Sequence, residues 1–150
     1  MTIHPIIFSI SLVITIAATG AHAADPEYIR SPATKKNNLP FSDAVRVGDL
    51  VFLSGQIGSV PGSLKLADGG IEGEARQAMK NIGSALELAG SSWQHVVKCT
   101  VFLADIKDWP AFNTVYTEFF TGNLPARSAL AASGLAKGAK VEVECIAAVK

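Results

Sequence analysis

Two places in this 150-residue chain carry side chains suited to chemistry on a small anionic molecule. The first is Arg127. It follows Leu124-Pro125-Ala126 and is flanked by Ala126, Ser128, Ala129, Ala131 and Ala132. Pro125 stiffens the approach, and small neighbours leave room around the guanidinium. A planar guanidinium with free space binds a carboxylate through two parallel hydrogen bonds. A surface or interface salt bridge uses the same residue equally well, and the local pattern favours it. The second place is Glu142 and Glu144, which alternate with Val141, Val143 and Cys145. Strand rise puts the two carboxylates on one face, about 6–7 Å apart. On a buried face such a group orients a water and accepts its proton. On an open face both are merely solvated, and alternation does not decide between these.

Other chemistries find no support. There is no phosphate loop and no HExxH. Cys99 and Cys145 are the only cysteines and have no CxxC spacing. Both lie in β-branched runs, which favours two buried thiols acting as small hydrophobes over a disulfide. Basic and acidic residues number 13 each, so net charge is zero. A neutral chain lacks the basic field that phosphate backbones require, so nucleic acid is not an expected partner.

The elements that must position Arg127 and the glutamates follow from patterning. Ala44–Val47 and Leu50–Ser54 flank Gly48-Asp49, which predicts a tight hairpin. Residues 57–70 contain Pro61 and four glycines and read as a loop. Ala75, Met79, Ile82, Leu86 and Ala89 form an apolar stripe, predicting a helix over 72–89 that Gly90 stops. Val96–Leu103 reads as a strand buried on both faces. Asp108 is a candidate N-cap with Pro110 in the first turn. Phe112, Val115, Tyr116 and Phe119 predict a second helix, closed by Gly122, and these aromatics read as core. Ala126–Ala132 and Val141–Val149 are the last strands, separated by a Gly134–Gly138 turn region. The result is an α+β fold with both helices on one sheet face. Self-association is the simplest cover for the other face.

The N-terminus reads differently. Residues 6–18 are apolar apart from Ser9, Ser11 and Thr15, and Ala21-His22-Ala23 follows. This is the pattern of a secretory signal peptide cleaved after residue 23, although no Lys or Arg precedes the apolar run. A retained membrane anchor is the alternative, but the run is shorter than the roughly 20 residues a span needs. One domain over 24–150 is therefore expected, periplasmic or secreted and free of the membrane after cleavage. Cleavage removes His4 and His22, and His95 alone cannot build a metal site. Residues 25–39 are polar and hold Pro26, Pro32, Lys35, Lys36, Asn37 and Asn38, and read as a leader with little structure.

Several motifs together resemble one family. They are Leu39-Pro40-Phe41-Ser42-Asp43-Ala44-Val45, Leu53-Ser54-Gly55-Gln56-Ile57, Val97-Lys98-Cys99-Thr100-Val101-Phe102-Leu103, Asn113-Thr114-Val115-Tyr116, Pro125-Ala126-Arg127-Ser128 and Val141-Glu142-Val143-Glu144. In this order and spacing the chain resembles the RidA (YjgF-like) reactive-intermediate deaminases from about Pro40 to Val149. The resemblance implies a RidA/chorismate-mutase-like fold with a mixed β-sheet, and a homotrimer with clefts between subunits. It implies hydrolysis of 2-imino acids, formed from 2-enamino acids such as 2-aminoacrylate, to 2-keto acids and ammonia without a cofactor. Arg127 matches the family's carboxylate-binding arginine, and Glu142 the glutamate that handles the hydrolytic water. Ser54, Gly55 and Asn113 match cleft-lining positions. Phe41 stands where many relatives have Tyr, Ala129 where some have Cys, and Gly58 replaces a common Pro. Phe41 and Ala129 thus bear on which substrate side chain fits. A non-catalytic ligand-binding or chaperone-like trimer is the competing reading, and a ribonuclease a more distant one.

Overall fold

The structure is a computed structural model that describes residues 24–63 and 65–149. The expected signal peptide lies outside the described residues. Gly48, at φ +58°, turns the chain between β2 (Ala44–Val47) and β3 (Leu50–Leu53). The two strands pair antiparallel, Val47 opposite Leu50, as the Gly-Asp signal predicts. The long strands β5 (Val96–Leu103) and β7 (Val141–Ala148) pair antiparallel at the centre of the sheet. Strand β6 (Ala126–Ala131) runs parallel to β5. A parallel neighbour needs a crossover, and α3 (Trp109–Thr117) supplies it. Including β1 (Glu27–Ile29), the strand order is β1-β2-β3-β7-β5-β6, with β4 (Gln56–Ile57) also on β7.

One sheet face is apolar and covered. Cys99, Val101 and Leu103 of β5 and Val141, Val143, Cys145 and Ala147 of β7 are buried. Over them lies α2 (Gly70–Leu88), which buries Ala75, Ala78, Met79, Ile82, Ala85 and Leu86. Burying each large apolar side chain here stabilises by roughly 1.5–3 kcal/mol. Helix α3 packs against α2 and adds Phe112, Val115 and Tyr116 to the same core. Both helices therefore share one face, as expected. Gly90, at φ +74°, ends α2: its N–H donates to Glu87 O, and the Ser91 N–H reaches back to Leu86 O. That double closure is the Schellman motif, and it requires the left-handed residue that glycine supplies.

Six expectations need correction. Strand β5 is buried on one face only: Val97 and Lys98 are exposed, Lys98 on the face that the helices leave open. The segment 25–39 is structured: β1 pairs with β2, and a short helix α1 (Pro32–Lys36) follows. Asp43 is the reason, because its carboxylate accepts from Ser31 N at 2.7 Å, Ser31 Oγ at 3.3 Å and Thr34 Oγ1 at 2.9 Å. The span 57–70 is not all loop: β4 pairs with β7, and Ser59 bridges to Leu66. Asn81 holds it, donating to Ile57 O and Ser59 O. Asp108 makes no side-chain cap; a 3-10 turn over Ile106–Asp108 precedes α3, and Asp105 accepts from Lys107 N instead. Helix α3 ends at Thr117, five residues before Gly122. Finally, Cys99 and Cys145 are not free thiols but a disulfide, at directly opposed positions of β5 and β7 with Cα atoms 4.1 Å apart. Sequence spacing does not reveal that register.

Candidate functional site

Glu142 sits on β7 with Phe102 of β5 on one side and Ile57 of β4 on the other. Directly opposed residues share a sheet face. Phe102 alternates with the buried Val101 and Leu103, so Glu142 lies on the face that the helices leave uncovered. It is half-buried there, whereas Glu144, opposite Thr100 on the same face, is exposed. The difference comes from Gly55. A Cβ built at Gly55 falls 2.0 Å from Glu142 Oε1, so the carboxylate fills the space a side chain would need.

Ser54 precedes Gly55 and is held by two bonds. Its Oγ donates to Ser42 O at 2.6 Å, and its N–H donates to Asp43 O at 3.0 Å. These ties fix the Phe41–Asp43 segment beside Gly55. An open groove of about 610 Å³ runs along it, lined by Phe41, Ser42 and Ser54 together with Tyr28, Arg30 and Val45. Phe41 is 47% exposed, so its ring offers this groove an apolar wall without a hydroxyl. A smaller depression of about 200 Å³, by Phe52, Lys98, Thr100 and Glu144, lies on the uncovered face and contains none of the expected site residues.

Arg127 occupies the other face. Its register partner on β5 is Cys99, which points into the helix-covered core. Its guanidinium carbon lies 4.7 Å from the ring centre of Tyr116, 5.3 Å from Trp109 and 5.9 Å from Phe112. Positive charge over aromatic faces is stabilising and fixes the plane of the fork. Among the described residues no carboxylate forms an ion pair with Arg127, so no salt bridge within the chain occupies it. Ala129 lies two residues on, on the same face opposite Val101, where it adds no bulk. Asn113 is half-buried on α3, and its Oδ1 is a buried acceptor without a partner.

The expected residues therefore form two groups within one chain. Phe41, Ser54, Gly55 and Glu142 form one; Asn113, Arg127 and Ala129 form the other. The sheet separates Glu142 from Arg127, so within this chain the two do not meet. The residue that sequence reasoning missed is Tyr116, which it assigned to the core. Tyr116 is indeed buried, but its ring is the nearest of the three to the guanidinium. Burial pushes its phenol above the ordinary value, and the charge of Arg127 partly opposes that. Its place in the i, i+3, i+4, i+7 series from Phe112 was the available signal.

Comparison with known proteins gives one consistent set of relatives. The model of the endoribonuclease L-PSP family matches residues 32–149. A human protein named 2-iminobutanoate/2-iminopropanoate deaminase is 45% identical over 108 residues, which is 72% of this chain and 79% of that protein. Its rat counterpart of the same name is 48% identical over 71% of this chain and 78% of its own length. Among solved structures, a Rid-family protein of unknown function from Yersinia pestis, YyfA, superposes with a TM-score of 0.77 at 35% identity. That match covers 83% of this chain and all of the other. E. coli TdcF with bound serine gives a TM-score of 0.70 at 32% identity, over 74% of this chain and 89% of that one.

Proposed function

Since the chain belongs to the endoribonuclease L-PSP family, the family of the Rid proteins, we propose that it hydrolyses 2-imino acids to 2-keto acids and ammonia. One observation carries the reading: Arg127 is a cation held over three aromatic rings with no carboxylate paired to it among the described residues. A site of that kind is prepared for the carboxylate of a ligand. The relatives named as deaminases act, by their names, on 2-imino acids, each of which carries a carboxylate beside the reacting carbon.

A protonated imine is already electrophilic, so orientation and a placed water suffice. Arg127 holds the substrate carboxylate. Glu142 takes a proton from water as the oxygen bonds to C2, giving a tetrahedral amino alcohol. The same proton passes to nitrogen, the C–N bond breaks, and the C2 oxygen closes to the ketone as Glu142 takes its proton and relays it to the leaving ammonia, which departs as ammonium. The keto acid departs, and Glu142 is again a carboxylate. Because Glu142 and Arg127 lie on opposite faces of one sheet, a second copy of the chain must complete the site. A homotrimer with the site between subunits meets that need and also covers the open sheet face.

Hydrolysis is tested by ammonia and keto-acid release from imino acids generated in situ by an amino-acid oxidase. Arg127→Ala is expected to lower kcat/KM by about 100-fold or more, since a bidentate charge-assisted contact is lost. Unchanged turnover refutes the assignment. The proposal extends to export: an oxidising compartment suits both the leader pattern of residues 1–23 and the Cys99–Cys145 disulfide. Fractionation that finds only uncut protein in the cytoplasm removes this part.

A further inference from the structure

Three buried side-chain atoms lack a hydrogen-bond partner among the described residues: Arg30 Nε, Asn113 Oδ1 and the Tyr116 hydroxyl. Two of the three are one turn apart on α3. Native proteins satisfy most buried polar groups, and an orphan calls for a specific cause, such as a ligand that arrives later. Tyr116 is the sharper case. Only 3% of its surface is exposed, and its hydroxyl has no partner within the described residues. Its ring lies 4.7 Å from the Arg127 guanidinium carbon. The unpartnered hydroxyl thus belongs to the ring nearest the cation that awaits an anion.

We propose that Tyr116 is a further substrate-binding residue, whose hydroxyl donates a hydrogen bond to the carboxylate that Arg127 holds. The assignment rests on the reading of Arg127 given above. Guanidinium offers donors only, and a carboxylate offers about four lone-pair sites on two oxygens. Two of those sites take the fork of Arg127, and the others are free for a neutral O–H. A phenol suits this position because burial favours its protonated form, so it remains a donor through neutral pH. Its ring has a second role, since it packs against Phe112 and Phe120 at 5.5 and 4.8 Å and so cannot swing away. A fixed donor loses little freedom when the ligand binds.

Tyr116→Phe tests the hydroxyl while keeping the ring under Arg127. Binding of 2-oxobutanoate, a stable product-like keto acid, is measured by calorimetry beside that of its neutral carboxamide. The expected result is about tenfold weaker binding of the acid, as for loss of a hydrogen bond to a charged group. Carboxamide binding should change little, KM should rise with kcat nearly constant, and Tm should stay level or rise. Unchanged binding of the acid overturns the proposal. Equal weakening for acid and carboxamide also overturns it, because that places the loss in packing. A wild-type protein that binds the acid but never releases ammonia defeats hydrolysis, while a tenfold loss in the variant still supports Tyr116.

Discussion

Gly55→Ala isolates the placement of one carboxylate. The added Cβ would lie 2.0 Å from Glu142 Oε1, 2.9 Å from Cδ and 3.1 Å from Cγ. Gly55 is not among the positive-φ residues, so alanine meets no backbone penalty there. The clash is with the far end of a flexible side chain, which rotates away more readily than the sheet deforms. Separation to about 3 Å moves the carboxylate by about 1 Å, and misplacement on that scale costs about 100-fold in rate. Stability should change by less than about 1 kcal/mol, because no core contact is lost. The assay is ammonia release with thermal melting as a control, repeated in a Glu142→Ala background. Gly55→Ala alone should cut kcat/KM about 100-fold, and in the second background it should add little. Full activity in the single variant would refute the role of Glu142 in the reaction. Independent, additive losses would refute the coupling between the two residues.

Two further outcomes concern the frame. Reducing the disulfide frees a loop of 46 residues, which by chain entropy lowers stability by about 4 kcal/mol. Denaturant unfolding with and without reductant measures this, and equal midpoints would contradict a formed bond. Burial raises the Tyr116 phenol above its unfolded value near 10, so its contribution is complete below that pH and is lost as pH rises toward the folded value. Tyr116→Phe should therefore flatten the alkaline side of the stability curve, and an unaltered slope above pH 10 would count against it.

The elements that sequence reveals here are those set by neighbours in the chain. The hairpin at Gly48-Asp49 depends on two turn residues, and the stop of α2 depends on Gly90 alone. Structure made by distant partners was not legible. The leader folds because Asp43 reaches back to Ser31 and Thr34. The disulfide exists because β7 returns beside β5 in a register that places Cys145 opposite Cys99. The site divides the same way. Arg127 and Glu142 stand out as residue types in order along the chain, yet their opposite faces follow only from the pairing of three strands. Tyr116 was hidden by a different cause: helical periodicity reports that a side chain is inward, not what it meets there.

The disulfide also closes a covalent ring. It runs from Cys99 through α3 and β6 to Cys145, and so contains Asn113, Tyr116, Arg127 and Glu142. The exposed stretch at 121–124 is the open point of that ring. A protease that cuts there opens the ring without dividing the molecule, and both pieces remain joined at the centre of the sheet. The segment bearing the arginine is thus tethered to the chain at two points, and a nick costs it one of them. Such a linkage turns a severed chain into a relaxed one.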